Sequence, residues 1–257
     1  MKFFLGISIF LCFLFSGVEP NQFFLQKTIK ESNFIIADTS ATLRNGIPET
    51  VFFYSPHPDD ETLSMGAGIL SQINKGNIVH VVLLTRGEGS GAITKINEKK
   101  AKRGADENTI KDFTDSRKKE FLSATDALGV HKTHIHNLPD GGIKKSDVKA
   151  IINNYKNNYS IDAHHTMSAQ DPHPDHSATG QAVKSFDNAV FYIPVQKYED
   201  MNYDRKIFVP DNKTSKLKNA LNAYKLWDPS SGRYAVGWHS VSPYFDMAET
   251  YQKNKVY

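Results

Sequence analysis

The amino-acid sequence predicts an α/β fold: a Rossmann-like, doubly wound single domain with a mostly parallel sheet and a C-terminal extension. Short apolar runs alternate with segments of helical period from Thr50 to Ile193. One run, Ile78 to Thr85, reads as a strand buried on both faces, the pattern of a parallel sheet covered by helices on each side. Two clusters rich in histidine and aspartate, His57-Pro58-Asp59-Asp60-Glu61 and His173-Pro174-Asp175-His176, each follow such a run. Ligands of doubly wound sheets lie there, beyond the carboxyl ends of the strands.

Along the chain, Thr50 to Ser55 is the first strand, Glu61 to Lys75 its helix and Ile78 to Thr85 the second strand. From Arg86 to Asp112 the sequence is polar with few periodic apolar residues, which marks either a lid or binding loop or a disordered stretch. Its opening Gly87-Glu88-Gly89-Ser90-Gly91 lacks the Gly-Lys-Ser/Thr ending of a phosphate loop and reads as a hinge. A helix runs from Thr114 to Leu128 and stops at Gly129. Lys132 to Leu138 is the third strand, Lys145 to Asn157 a helix, and Ile161 to Thr166 the fourth strand. His176 to Phe186 is the next helix and Ala189 to Ile193 the fifth strand. Beyond it, Ser215 to Leu226 is an amphipathic helix and Asp228 to Gly232 a loop. Helical connections imply right-handed crossovers, and the strand order 3-2-1-4-5 makes the first and fourth strands neighbours. The two clusters then meet although they are far apart in the chain.

Met1-Lys2 followed by the apolar run Phe3 to Phe15 has the charge and length of a signal peptide rather than of a full membrane span. Residues 1 to about 20 therefore read as an export signal. Ser16-Gly17-Val18 gives no clean cleavage motif, which leaves an uncleaved anchor as the alternative and the only expected tie to a membrane. Either way the protein is expected to be secreted or at the cell surface. Residues 21–49 form an N-terminal arm, and residues 50–257 the domain with its extension. The only cysteine, Cys12, falls in the export segment, so the remainder can form no disulfide. About 235 residues remain, enough for one domain with a substantial core. A net charge of +3, scattered over pairs such as Lys99-Lys100 and Lys118-Lys119, makes no nucleic-acid footprint.

The chemistry follows from the residue types. His57 and Asp60, three apart across a strand end and a first helical turn, can reach one ion, and His176 enters from the facing loop. Two neutral imidazoles and one carboxylate leave a position open for water, as catalytic zinc sites do. One Zn²⁺ per chain held this way lowers the pKa of that water to about 7. Asp59, beside a ligand but directed elsewhere, is placed to take the water's proton as general base. His173, one turn before His176, can polarise the attacked carbonyl or protonate the departing amine, and Asp175 can orient one of the imidazoles. Together these roles describe hydrolysis of an acyl bond. Each cluster alone has a plain alternative: Asp59, Asp60 and Glu61 as helix caps, and His-Pro-Asp as a surface turn. Their joint occurrence after neighbouring strands favours the metal. His80, His131, His134, His136, His164 and His165 read as packing or hydrogen-bonded histidines, and His239 stays open between the two readings.

The runs Ser55-Pro56-His57-Pro58-Asp59-Asp60-Glu61-Thr62 and Asp171-Pro172-His173-Pro174-Asp175-His176 resemble the LmbE-like family of de-N-acetylases. That family includes N-acetylglucosaminyl-phosphatidylinositol deacetylase and the mycothiol-pathway deacetylase. Weaker matches fall in order between them: Thr85 to Gly89, Arg117 to Glu120 leading into Ala127 to Val130, and Leu138 to Gly141. The resemblance implies that His57, Asp60 and His176 bind zinc, that Asp59 is the general base, and that His173 stabilises the oxyanion. It also implies that Arg117 and Asp140 border a sugar pocket. Read by themselves, Arg117 suits equally an i,i+3 pair with Glu120, and Asp140 a turn in Pro139-Asp140-Gly141-Gly142. The activity implied is removal of acetyl from an N-acetylated amino sugar or a glycoconjugate containing one. The aromatic tail, with Tyr234, Trp238, Tyr244 and Phe245, serves either core packing or stacking on sugar rings.

Three rivals are weighed by the same residues. A dinucleotide-binding oxidoreductase would need a glycine-rich first turn where Asp59, Asp60 and Glu61 would repel a pyrophosphate. A two-metal phosphoesterase would call for more carboxylate ligands. A non-catalytic carbohydrate-binding protein has no need of Asp59 and His173.

Overall fold

The computed structural model describes residues 46–257. The expected export segment and most of the N-terminal arm lie outside the described residues. Strands β1 (Thr50–Ser55), β2 (Ile78–Thr85) and β3 (Lys132–Leu138) fall where the apolar runs put them, followed by β4 (Ala163–Met167) and β5 (Ala189–Tyr192). These five are parallel and lie in the order β3-β2-β1-β4-β5, so the topological switch falls between β1 and β4. Beyond β5 the sheet continues with two antiparallel strands, β9 (Lys253–Val256) and then β6 (Arg205–Phe208) at the edge, giving seven strands, while β7 (Trp227–Asp228) and β8 (Arg233–Tyr234) pair in a separate short ribbon. The sequence reading missed β6 and β9, because Arg205-Lys206 and Lys253-Asn254-Lys255 carry no alternating apolar pattern.

Alternation along β1 divides the core. Val51 and Phe53 face the layer built from α2 (Gly66–Asn74), α4 (Ile110–Leu128), α7 (Thr214–Lys225) and α8 (Val236–Tyr251). Phe52 and Tyr54 face α5 (Lys145–Lys156) and α6 (Pro174–Val183). Phe245 and Tyr224 pack 5.6 Å apart in the first layer, so this part of the aromatic tail belongs to the core. No helix of the described residues is long and apolar enough to cross a membrane.

Three local features depart from the periodicity. The helix expected over residues 61–75 is two: a short α1 (Asp60–Leu63), then α2 after a break at Ser64-Met65. Asn254 of β9 makes the break tolerable, since its Oδ1 accepts from Ala67 N at 2.8 Å and Gly68 N at 3.1 Å, donors that would otherwise be orphaned. The polar stretch after β2 contains α3 (Ala92–Ala101). Finally, α4 starts a turn earlier than expected because Thr109 and Asp112 form a capping box, while Gly129 ends it at a left-handed φ of 84°.

The strand histidines are hydrogen-bonded: His164 Nδ1 lies 3.0 Å from Tyr54 Oη, and His136 Nε2 2.9 Å from Tyr155 Oη. His80 Nδ1 and His134 Nε2 lie 3.1 Å apart between Phe52, Tyr155 of α5 and Tyr159 just beyond it, and burial pushes both rings down to about 4.

Two predictions follow from the packing. An ideal Cβ on Gly180 of α6 would sit 2.5 Å from Ala169 N and 2.8 Å from Met167 O, just past the end of β4. Gly180→Ala should therefore destabilise the fold by ~1–3 kcal/mol in urea unfolding, although alanine is the better helix former by ~1 kcal/mol. An unchanged midpoint would show that α6 can retreat freely. His80 and His134, with folded values near 4 against an unfolded value near 6.5, contribute stability that is complete above about 6.5 and falls as pH drops towards 4. The urea midpoint of His80→Asn should fall less between pH 7 and pH 4.5 than that of the native chain.

Candidate active site

The site is built where β1 and β4 end side by side. At the end of β1, Thr85 Oγ1 and Thr85 N both donate to Pro56 O, at 2.8 and 3.1 Å, and clamp the loop to β2. Asp59 follows at a φ of 111°, a strained value for a residue with a Cβ and one that concentrates at functional sites. Its amide donates to Glu61 Oε2 at 3.0 Å, and Glu61 Oε1 in turn accepts from Tyr224 Oη at 2.6 Å. At the end of β4, His173 caps α6: its Nδ1 accepts from Asp175 N at 3.3 Å, and its own amide donates to Asp171 Oδ1 at 2.8 Å.

These two loops bring His57, Asp60 and His176 together. His57 Nδ1 lies 3.1 Å from Asp60 Oδ2 and 3.2 Å from His176 Nε2, and His176 Nε2 lies 3.1 Å from Asp60 Oδ2. Ligands at tetrahedral angles, about 2.0–2.1 Å from an ion such as zinc, stand about 3.3 Å apart, so a slight opening of this triangle fits one. A second grouping, His57 with His173 and Asp175, is also within ligand reach. Asp175, however, already accepts from Gly141 N at 2.7 Å and Ile143 N at 2.9 Å, which suits it to hold His57 rather than an ion.

The far nitrogen of each imidazole meets a carboxylate. Asp175 Oδ2 and Asp140 Oδ1 lie 3.0 and 3.1 Å from His57 Nε2, and Asp171 Oδ2 lies 2.7 Å from His176 Nδ1. Such partners fix the tautomer and raise the basicity of metal-binding histidines. Burial by itself would lower His176, but the charge of Asp60 and the hydrogen bonds its ring makes to Asp171 and Asp60 raise it to about 9. His57 is likewise driven up by Asp140, Asp175 and Asp60 against its burial. The triangle thus favours positive charge.

Arg117 braces Asp59. Its Nη2 donates to Pro58 O at 2.6 Å and pairs with Asp59 Oδ2 at 3.1 Å, while Nη1 donates to Gly87 O at 3.1 Å. Gly87 has a φ of 68°, and a Cβ there would lie 2.4 Å from the guanidinium, so only glycine serves. The i,i+3 pairing of Arg117 with Glu120 is not formed; Glu120 instead accepts from Val236 N and Gly237 N at 2.8 and 3.0 Å, at the start of α8. Burial raises Asp59 to about 8, with Arg117 pulling down and the Asp60 and Glu61 charges pushing up.

Asp59, Arg117, Asp140 and His173 all line a cavity of about 450 Å³ that opens over the triangle. Asp140 has both oxygens engaged, Oδ2 accepting from Gly89 N at 2.7 Å. The loop after β2 also reaches the wall, where Ser90 Oγ lies 2.9 Å from Ser240 Oγ of α8. The sequence reading missed Asp171, although it opens the Asp-Pro-His-Pro-Asp-His run. It also missed Gln196 and Ser240, which come from the segment after β5 where no motif matched.

With this geometry in hand, comparison with known proteins is decisive at the family level. Residues 52–186 match the family model described as PIG-L, GlcNAc-PI de-N-acetylase. The chain belongs to the PIG-L family. Curated protein sequences give no match to this PIG-L-family chain. Among solved structures, N,N'-diacetylchitobiose deacetylase from Pyrococcus horikoshii aligns at 16% identity and a TM-score of 0.57, covering 95% of each chain. The deacetylase of the A40926 pseudoaglycone aligns at 18% identity and a TM-score of 0.56, covering 80% of this chain and 94% of its own. The same fold also serves a 4-carboxy-2-hydroxymuconate hydratase from Pseudomonas putida, at 15% identity and a TM-score of 0.57 over 81% of this chain and 95% of that one. Fold likeness at this distance shows architecture, and the chemistry must come from the site.

Asp171→Asn should weaken divalent-metal affinity by roughly 10–100-fold, because it removes the carboxylate behind His176 while leaving the triangle intact. A competition titration with a zinc chelator checks this, and unchanged affinity would detach Asp171 from the centre.

Proposed function

We propose that this chain is a zinc-dependent N-deacetylase that hydrolyses the acetamide of an N-acetylglucosamine-type sugar or a glycoconjugate bearing one. The observation that carries this reading is the His57–Asp60–His176 triangle at the floor of a cavity flanked by Asp59 and His173. The donor set, two imidazole nitrogens and one carboxylate oxygen, is that of catalytic zinc sites with an open position. Membership of the PIG-L family supports it, as do neighbours named as deacetylases of N,N'-diacetylchitobiose and of the A40926 pseudoaglycone.

His57, Asp60 and His176 would hold the zinc, which when bound supplies Lewis acidity and brings the pKa of water near 7. Asp59, held by Arg117, accepts a proton from the attacking water as its oxygen bonds to the acetyl carbon. His173 accepts from Asp175 N through Nδ1, so its neutral ring carries the proton on Nε2 and can donate to the carbonyl oxygen as charge develops there. The proton on Asp59 then passes to the sugar nitrogen as the C–N bond breaks, leaving acetate and a free amine. Arg117 and Asp140 shape the wall on which the sugar would rest. The export expected from residues 1–20 is part of the same proposal and suits a glycoconjugate outside the cytoplasm.

Acetate release from a panel of N-acetylated mono- and oligosaccharides by the zinc-loaded protein tests the reading. Asp59→Asn should lower kcat by about 10²–10⁴-fold. His57→Ala should abolish both metal binding and acetate release while the cooperative unfolding transition persists. Acetate release at the native rate by His57→Ala would sink the assignment.

A further inference from the structure

Away from the catalytic cavity, a crevice of about 230 Å³ opens between α2, β4, β5 and the edge strand β6. His165 of β4 and Tyr192 of β5 line it, with Ser71 and Lys75 from α2 and its C-terminal cap, and Arg205 and Lys206 from β6. Nothing in the proposed deacetylation uses these residues.

His165 is 3% exposed, yet its Nε2 has no hydrogen-bond partner among the described residues. Its Nδ1 lies 3.0 Å from Tyr192 Oη. If the imidazole donated to the phenol, both the phenolic proton and the Nε2 lone pair would be stranded. A donating phenol strands one group only, the Nε2–H, and buried polar groups are rarely left unpaired without cause. Burial raises Tyr192 well above the ordinary phenol range, which keeps that donating proton in place. The contact is tightly fitted as well, because a Cβ on Gly68 of α2 would fall 2.1 Å from Tyr192 Oη.

The field at this point is positive. Burial first, then the charges of His164, Lys75 and Arg205, push His165 down to about 3, so its ring is an uncharged donor at neutral pH. Lys75, Arg205 and Lys206 form no ion pair with a carboxylate among the described residues. A water molecule would satisfy the Nε2–H and leave the two cations acting on it, Lys75 and Arg205, uncompensated. An oxyanion answers both, since charge-assisted hydrogen bonds from Arg and Lys to carboxylate or phosphate are the strong ones.

We propose that this crevice binds a small oxyanion, a phosphate or a carboxylate, through His165 Nε2–H and the Lys75 and Arg205 side chains, at a site separate from the catalytic cavity. Because the cations are solvent-exposed, affinity in the region of 1 mM is expected rather than tight binding. Calorimetric titration of the full chain with inorganic phosphate, and in parallel with acetate, reads the site, using both the native protein and His57→Ala to remove oxyanion binding at the metal triangle. Saturable binding that persists in His57→Ala and weakens at least about tenfold in Lys75→Ala/Arg205→Ala supports the proposal. Tighter binding of phosphate or of acetate then identifies which oxyanion the site prefers. The two substituted side chains are exposed, so the fold should survive, and His165→Gln checks the buried donor. Absence of saturation by either anion at about 10 mM, or equal binding in the double variant, would overturn it.

Discussion

Carboxylates that are almost fully buried need compensating positive charge, and around His57 and His176 this chain concentrates Asp59, Asp60, Asp171 and Asp175 with one guanidinium, Arg117. The imidazoles respond by rising towards protonation, His176 to about 9. Burial, with the Asp60 and Glu61 charges, raises Asp59 to about 8, and burial alone raises Glu61 to about 7. In both cases protons substitute for a cation. A divalent ion in the triangle would supply that charge directly and release protons as it bound, which couples metal affinity to pH. The same crowding explains why Arg117 has to reach so deep, bridging Pro58, Asp59 and Gly87.

The fold delivers this crowding by parallel pairing of β1 with β4, in register from Val51↔Ala163 to Tyr54↔Thr166. Each strand then releases its loop at the same height, and α1 and α6 depart from there carrying Asp60 and His176. The elements after β5 complete the arrangement. Tyr224 of α7 holds Glu61, Glu120 anchors the start of α8, and α8 places Ser240 on the cavity wall. What is called an extension in the sequence is therefore a structural wall of the site.

In the parallel half of the sheet, β1 and β2 were legible because strands buried on both faces are plain in sequence. The half-exposed edge strand β3 was bracketed by the helix stop at Gly129 and the turn at Pro139-Asp140-Gly141, and all three match their expected ranges residue for residue. The meeting of His57, Asp60 and His176 was legible for a different reason, since few structures need His, Asp and His at the ends of two adjacent strands. The edge strand β6 and its inner neighbour β9 defeat periodicity, because Arg205-Lys206 and Lys253-Asn254-Lys255 give no apolar alternation, and in β9 the asparagine and a lysine are themselves buried. The break between α1 and α2 was hidden as well, because Asn254, distant in the chain, satisfies the freed amides. Arg117 showed up as a site residue only through resemblance; its pairing with Asp59 crosses between elements that no local pattern connects.

One feature of connectivity bears on how the molecule is made. β9 lies between β5 and β6 in space but follows both in sequence, so β6 has no partner strand until residues 253–256 are available. During synthesis from the N-terminus, the nascent chain would present β5 and β6 as open edges, with the α2 amides lacking Asn254, until this late segment left the ribosome. Closure of that side therefore waits on β9, and the interval before it is when the polypeptide most needs protection from joining edges with another copy.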